Sequence, residues 1–173
     1  MYKALKMDLN MNNGYQIIEN VLDKYECDIL IKLIDDLFTQ NPDPDGLEID
    51  GYNRLKISNP NITNMLTQKL NVIIDMNSHY IHHQWFSTKY IIGGGLAKHY
   101  DGHTFDDNNT SSYTLLVYLN DNFEGGSTTF TESGIKIQPT QGMVLILDQN
   151  IEHEAEGVTN GFKYILRGDI FKQ

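Results

Sequence analysis

His99 and Asp101, in KHYDGH (98–103), and His153, in EHE (152–154), are side chains whose types and spacing could hold a metal ion. If 99–101 is extended, residues i and i+2 point to one face, so the imidazole and the carboxylate can chelate one ion together. His153, far along the chain on a different strand, completes a set of two histidines and one carboxylate. That facial set leaves coordination positions open and suits a non-haem Fe(II) centre, where substrate or dioxygen must reach the metal directly. His103 would share the same face. Three successive same-face ligands on one strand could hardly converge on one ion, so His103 is read as lining an entrance at the start of the 102–112 loop.

A dicarboxylic acid chelating the metal at one end would need a cation at its other end. Lys163 lies in FKYILRGDIF (162–171), a run too apolar to waste a lysine on a core-facing position. A two-residue hairpin turn at Asn160-Gly161 would set Lys163 opposite Val158, five residues along the strand from His153, or roughly 16 Å at full extension. The same pairing would put Arg167 opposite Glu154, beside the metal and too near for that task. Lys163 is therefore the first choice and Arg167 the reserve.

These residues need a scaffold. Asp23 followed by Glu26 has capping-box spacing, and Ile29, Leu30, Leu33, Ile34, Leu37 and Phe38 recur at helical spacing, so 24–39 reads as an amphipathic helix. Asn41-Pro-Asp-Pro-Asp-Gly46 breaks it. A second helix is expected from about Ile62 to Ser78. From Gln84 onward come short β-branched and aromatic runs: Trp85–Ile92, Tyr113–Leu119, Ser127–Phe130, Ile135–Gln138, Met143–Leu147 and Phe162–Phe171. Glycine-containing turns separate them, the pattern of a sandwich or barrel. The expected architecture is one domain over 1–173, α+β but mainly β, with helical support over about 1–83 and a β-core over about 84–173.

Composition narrows the function. The chain has 173 residues, 13 basic against 23 acidic, for a net charge of −10, which argues against a phosphate backbone as partner. No stretch approaches the roughly 20 apolar residues of a membrane span, and the start shows no secretory signal. A single cysteine, Cys27, excludes an intramolecular disulfide and reads as a small core residue; a reducing, cytoplasmic setting is expected. Gly93-Gly94-Gly95 has no helix after it and is not read as a phosphate loop. His79, His82 and His83 are read as solvated or structural, and Trp85 and Phe86 as core rather than substrate platform.

Taken together, KYIIGGGLAKHYDGH (89–103), YTLLVYLNDNFEGGSTTF (113–130), GMVLIL (142–147) and HEAEGVTNGFKYILR (153–167) resemble the 2-oxoglutarate- and Fe(II)-dependent dioxygenases, specifically the prolyl 4-hydroxylase-like branch. NVLDKYECDILIKLI (20–34) also looks like the helix entry of that branch. The resemblance implies a double-stranded β-helix of the jelly-roll or cupin-like kind, with the metal at one mouth. It makes His99, Asp101 and His153 the iron ligands and gives Lys163 the distal 2-oxoglutarate carboxylate. Tyr90, Tyr118 and Thr128 would line the co-substrate pocket. It implies O2 as co-substrate, ascorbate as an accessory, and release of succinate and CO2 as an unactivated C–H is hydroxylated. No protein general base is needed.

Ser127 stands where those enzymes commonly have Glu, Tyr164 where Trp often follows the basic residue, and Asp169 where a second Trp is near the bound peptide. These departures spare the iron and co-substrate positions and bear on peptidyl-proline specificity. Three functions follow: a hydroxylase of a protein or peptide residue, proline first; the same chemistry on a small molecule such as a free amino acid; or a non-catalytic metal- or ligand-binding β-helix module. The acidic surface would suit a basic or neutral peptide, held by the 41–56 and 102–112 loops.

Overall fold

Charge and apolar pattern together dictate where each face of the chain must go. The structure, a computed structural model, describes residues 7–8, 11, 13–41 and 51–173. In chain order the first elements are β1 (Met7–Asp8), β2 (Tyr15–Ile18), α1 (Lys24–Gln40), β3 (Tyr52–Ser58), α2 (Pro60–Ile73) and β4 (Ile74–Asp75). Then come β5 (His79–Ile81), β6 (Gln84–Tyr90), β7 (Leu96–His99), β8 (Phe105–Asp106), β9 (Asn109–Tyr118) and β10 (Glu124–Gly125). The chain finishes with β11 (Thr128–Phe130), β12 (Lys136–Ile137), β13 (Val144–Asp148), β14 (His153–Ala155), β15 (Val158–Asn160) and β16 (Lys163–Lys172). The Pro-Asp-Pro-Asp-Gly break at 42–46 lies outside the described residues.

The first helix starts as its sequence dictates. Asp23 accepts from the Glu26 amide at 2.9 Å and the Glu26 carboxylate accepts from the Asp23 amide at 2.9 Å, a reciprocal capping box. The second helix differs from expectation at both ends. Asn59 caps it through the Asn61 and Ile62 amides, with Pro60 in the first turn, so it begins before Ile62. It stops at Ile73 because Ile74 turns extended and pairs with β1, and because the Asp75 carboxylate takes the Asn77 amide at 2.9 Å.

A large sheet runs in the order β2-β13-β9-β16-β6-β3, with β5 added on β16; a smaller one runs β12-β11-β14-β7. Neighbours within both sheets are antiparallel. Each face of the large sheet carries its own apolar cluster. On one face, Leu30, Ile34, Leu66 and Leu70 of the helices pack with Trp85, Leu115, Val117, Val144 and Leu166. On the other, Tyr118, Leu145, Leu147 and Ile165 pack with Phe130, Ile137 and Val158. Cover on both faces explains why Val144–Leu147 reads as an unbroken apolar run instead of alternating. Cys27 is fully buried in the helix-side cluster, as expected, and burial pushes its thiol up to about 11. Among the described residues no helix is long and apolar enough to cross a membrane.

Two strand assignments change the sequence picture. Residues 52–56, expected at the end of the 41–56 loop, belong instead to the edge strand β3, which pairs with β6 from Tyr52–Tyr90 to Ser58–Gln84. The hairpin between β15 and β16 does not form. Val158 pairs with Gly125 of β10, while Lys163 pairs with Tyr90 of β6. Arg167 correspondingly faces Phe86 and Leu116, not Glu154. Lys163 therefore reaches its place by lying across the large sheet.

Candidate metal centre and co-substrate pocket

The small sheet brings the candidate ligands together. His99 at the end of β7 pairs directly with His153 at the start of β14, and their rings lie 4.3 Å apart. Asp101 follows just after β7 rather than within it, so strand alternation is not what aims it. The ligand atoms of His99, Asp101 and His153 all lie within 4.8 Å of one another. Among the described residues this is the one such group of three or more. Glycines permit the approach of these segments: a Cβ on Gly95 would meet the Ala155 carbonyl at 2.7 Å. Close backbone contact thus accounts for a glycine in the 93–95 run.

Each imidazole is oriented by the main chain. His99 Nδ1 lies 2.8 Å from the Ala97 carbonyl and His153 Nδ1 lies 3.0 Å from that of Ile151. A carbonyl only accepts, so Nδ1 carries the proton and Nε2 is left as an unprotonated donor. Burial lowers the His153 pKa, with Asp101 opposing it, which favours the neutral ring a metal requires. Asp101 Oδ1 lies 3.8 Å from His99 Nε2, and Oδ2 lies 3.7 Å from His153 Nε2. Oδ2 is buried without a hydrogen-bond partner. A buried carboxylate oxygen left bare is costly unless a cation meets it. The donor set fits Fe(II).

The second half of the site is cationic. Lys163 is 2% exposed and donates to the Gly126 carbonyl at 2.6 Å, with its ammonium 5.3 Å and 5.4 Å from the Tyr90 and Tyr118 ring centres. Burial drives its pKa down to about 7 against an upward pull from Glu156. Tyr118 and Thr128 share a hydroxyl hydrogen bond at 2.8 Å, and burial raises the Tyr90 and Tyr118 pKa values, keeping both phenols neutral. A buried ammonium with two rings and one carbonyl for company is short of an anion, which fits a carboxylate-bearing co-substrate. Arg167 stands at the metal end, away from Lys163, its Nε 3.2 Å from Asp101 Oδ1 and its Nη2 3.1 Å from Asp169 Oδ1.

One cavity of about 200 Å³ joins these groups, and all eight singled-out residues line it: His99, Asp101, His153, Lys163, Tyr90, Tyr118, Thr128 and Arg167. It also takes in Arg54, Phe86, Thr88, Leu116 and Ile165, which sequence reasoning did not select. Phe86 is a correction, since it lines the cavity while Trp85 is the core residue. The signal for Arg54 lay in β3, where Tyr52, Arg54 and Lys56 alternate against Leu55 and Ile57. His103 is exposed and bonds to the Ser111 carbonyl at 3.0 Å without lining the cavity. The 102–112 segment is no open loop, because β8 pairs with β9. Asp169 ties it down, accepting from Thr104 at 2.7 Å and from Gln149 at 3.0 Å.

Residues 85–168 match the family model described as the 2OG-Fe(II) oxygenase superfamily. That match takes in most of the β-core. Solved structures share the jelly-roll fold. The viral collagen prolyl hydroxylase of Paramecium Bursaria Chlorella virus-1, solved with 2OG, superposes with a TM-score of 0.71 at 22% identity, covering 95% of this chain and 99% of that one. A Trichoplax adhaerens prolyl hydroxylase, solved with a hypoxia inducible factor peptide fragment, gives 0.71 at 18% identity over 93% and 84%. HygX from Streptomyces hygroscopicus, with nickel and 2-oxoglutarate bound, gives 0.65 at 15% over 92% and 83%. No curated protein sequence matches the chain significantly.

Proposed function

We propose that this oxygenase uses Fe(II) and 2-oxoglutarate to hydroxylate a residue of a peptide or protein, with proline the first candidate. The reading rests on one observation: the Asp101 carboxylate, its Oδ2 bare and its two oxygens facing the two Nε2 donors, shares a cavity with the anion-short ammonium of Lys163. His99, Asp101 and His153 hold the metal. Lys163 takes the distal carboxylate of the keto acid, with the Tyr118–Thr128 hydroxyl pair beside it. When bound, the iron and keto acid supply the oxidising power that puts one atom of O2 onto an unactivated C–H as succinate and CO2 are released.

The chain's own residues position and exclude. The main-chain carbonyls of Ala97 and Ile151 fix the ring tautomers, and Arg167 holds Asp101 in place. Tyr90, Tyr118, Leu116 and Ile165 wall the cavity against water. At about 200 Å³ the cavity falls below the 300–1,000 Å³ or so of drug-sized ligand pockets. It has room for a five-carbon diacid and little more, so the molecule to be hydroxylated is presented from outside, as a peptide can be. Relatives of the same fold that are prolyl hydroxylases, one solved with its peptide, support this reading.

The test is succinate release from 2-oxoglutarate under air with Fe(II) and ascorbate, with and without a proline-rich peptide pool. Peptide-stimulated succinate, with a peptide gaining one oxygen atom, is expected. Turnover indifferent to peptides but stimulated by a small molecule would overturn the peptide reading. Bound iron with no turnover at all would overturn the enzyme reading in favour of a binding module.

A further inference from the structure

Phe86, on the cavity wall, is ringed by cations. Arg54 Cζ lies 5.5 Å, Lys56 Nζ 5.7 Å and Arg167 Cζ 5.3 Å from its ring centre. Strand register produces this arrangement. Phe86 is flanked by Lys56 on β3 and Arg167 on β16, and Arg54 lies two residues from Lys56 on the same face.

The three cations are not equivalent. Arg167 has Asp101 and Asp169 for partners. Arg54 and Lys56 meet aromatic rings and have no hydrogen bond or ion pair with any described residue; Arg54 also stands 5.3 Å from the Tyr52 ring. Arg54 is half-buried in the cavity wall, where its charge is less screened than at an open surface, and Lys56 is exposed beside it. In a chain with 23 acidic and 13 basic side chains, two neighbouring cations with no acid paired to them among the described residues run against the overall balance.

We propose that Arg54 and Lys56 bind a carboxylate of the molecule to be hydroxylated, so the substrate carries an acidic residue or group close to the reacting C–H. The inference rests on the reading of this cavity as an oxygenase site. A guanidinium held beside the Phe86 ring, with no acid of the described residues paired to it, has its donor fork free for bidentate contact with a carboxylate, and the neighbouring ammonium adds a second charge. This carboxylate is distinct from that of the keto acid. Lys163 belongs to the rung Tyr52–Tyr90–Lys163, while Lys56–Phe86–Arg167 lies four residues along β16, or roughly 13 Å. Local charge at the mouth thereby reverses the preference for a basic or neutral peptide that net charge suggests.

The deciding experiment is calorimetric titration of the protein loaded with Mn(II) and 2-oxoglutarate. The probes are proline-bearing peptides of one length that differ only in a Glu, Gln or Lys neighbour, together with small proline-containing di- and monocarboxylic acids; succinate formation with Fe(II) is followed in parallel. The Glu peptide is expected to bind about tenfold or more tightly than the Lys peptide, with the ratio shrinking as salt is added. The double variant Arg54→Gln, Lys56→Gln should bring the ratio close to one with its melting temperature unchanged, and Arg54→Lys should keep part of it. A free acid that binds, turns over and loses both on Arg54→Gln would support the carboxylate site and overturn the peptide reading. Substrate-driven succinate formation that is blind to charge, or that favours Lys, would overturn the carboxylate site and leave the peptide reading standing. No binding by any probe would overturn both.

Discussion

Lys163 and Tyr90 stand in register on β16 and β6, with the ammonium 5.3 Å from the ring centre and nearly shut off from water. A cation is thereby placed at the floor of the cavity with no ion pair to any carboxylate among the described residues, Glu156 acting on it only from a distance. The arrangement is unfavourable when empty and favourable when an acid arrives, so the same side chain bears on stability and on ligand affinity with opposite sign.

Lys163→Met tests both signs at once. Charge-assisted hydrogen bonds contribute about 1.5–3 kcal/mol, so the 2-oxoglutarate requirement should rise roughly 10- to 100-fold. The apo protein should melt no lower than the parent, because a buried charge gives way to an apolar chain of similar length. If Arg167→Ala raises the requirement and Lys163→Met does not, the two cations have been assigned the wrong way round.

The depressed Lys163 pKa also fixes a pH dependence. Burial brings its folded value down to about 7 from the usual 10.5 of a lysine, so across that window the unfolded chain holds a proton that the empty folded site lacks. Stability of the empty protein therefore rises with pH from about 7 towards 10.5 through this group. A bound carboxylate restores the proton. Affinity for 2-oxoglutarate should stay level below about pH 7 and weaken above it, by up to about tenfold per unit. Tyr90 and Tyr118 stay neutral throughout, while Lys136 and Thr129 hold Glu156 ionised. Calorimetry from pH 6 to 9 on Mn(II)-loaded protein reads this directly; an affinity that strengthens with pH contradicts it.

His99→Ala and His153→Ala each remove a donor that the main chain has already oriented. Both should abolish stoichiometric iron binding and succinate formation together, as measured by metal analysis and product assay. Retained turnover in either variant would mean that the centre lies elsewhere.

Arg167 holds Asp101 through Oδ1, and a bound divalent ion would add a second positive charge at Oδ2. Arg167→Gln leaves that carboxylate without its cation and frees one side of Asp169 as well, so the apo protein should lose about 1–3 kcal/mol, discounted for partial exposure. A bound divalent ion offsets part of the loss, so the gain in melting temperature on adding Mn(II) should be larger in the variant than in the parent. An equal gain in both would show that Arg167 does not act on Asp101.

The contrast between these cations shows what the sequence made legible. His99, Asp101, His153 and Lys163 were readable because donor type and order along the chain survive any error in strand pairing. The pairing itself was not. Asn160-Gly161 carries hairpin chemistry, yet β16 is captured by β6 and β9, whose long ladders outweigh a local turn. Arg54 was hidden for a related reason. Its strand turns a cationic, aromatic face to the cavity, and such a face does not read as the buried side of a strand. Asp169 looked like a lost aromatic and is instead the anchor of the segment around Thr104.

Gly168 offers a test of how tightly the scaffold sets the site. It lies on the helix-side face of β16, next to the cavity residue Arg167, and an added Cβ would come within 2.6 Å of Trp85 Cζ3 and 2.9 Å of Cε3. Trp85 cannot easily yield, being fully buried with its indole N–H donating to Thr63 at 3.0 Å. The clash must then be relieved by moving β16, the strand that carries Lys163 and Arg167. Gly168→Ala should cost about 1–3 kcal/mol, or several degrees of melting temperature at roughly 2–4 °C per kcal/mol for a chain of this size. The 2-oxoglutarate requirement should rise with it, although no cavity side chain has changed. Restoring space with Trp85→Phe in the same chain should recover the co-substrate requirement in part. A variant that melts lower with an unaltered requirement would place the slack in α2 instead, with β16 unmoved.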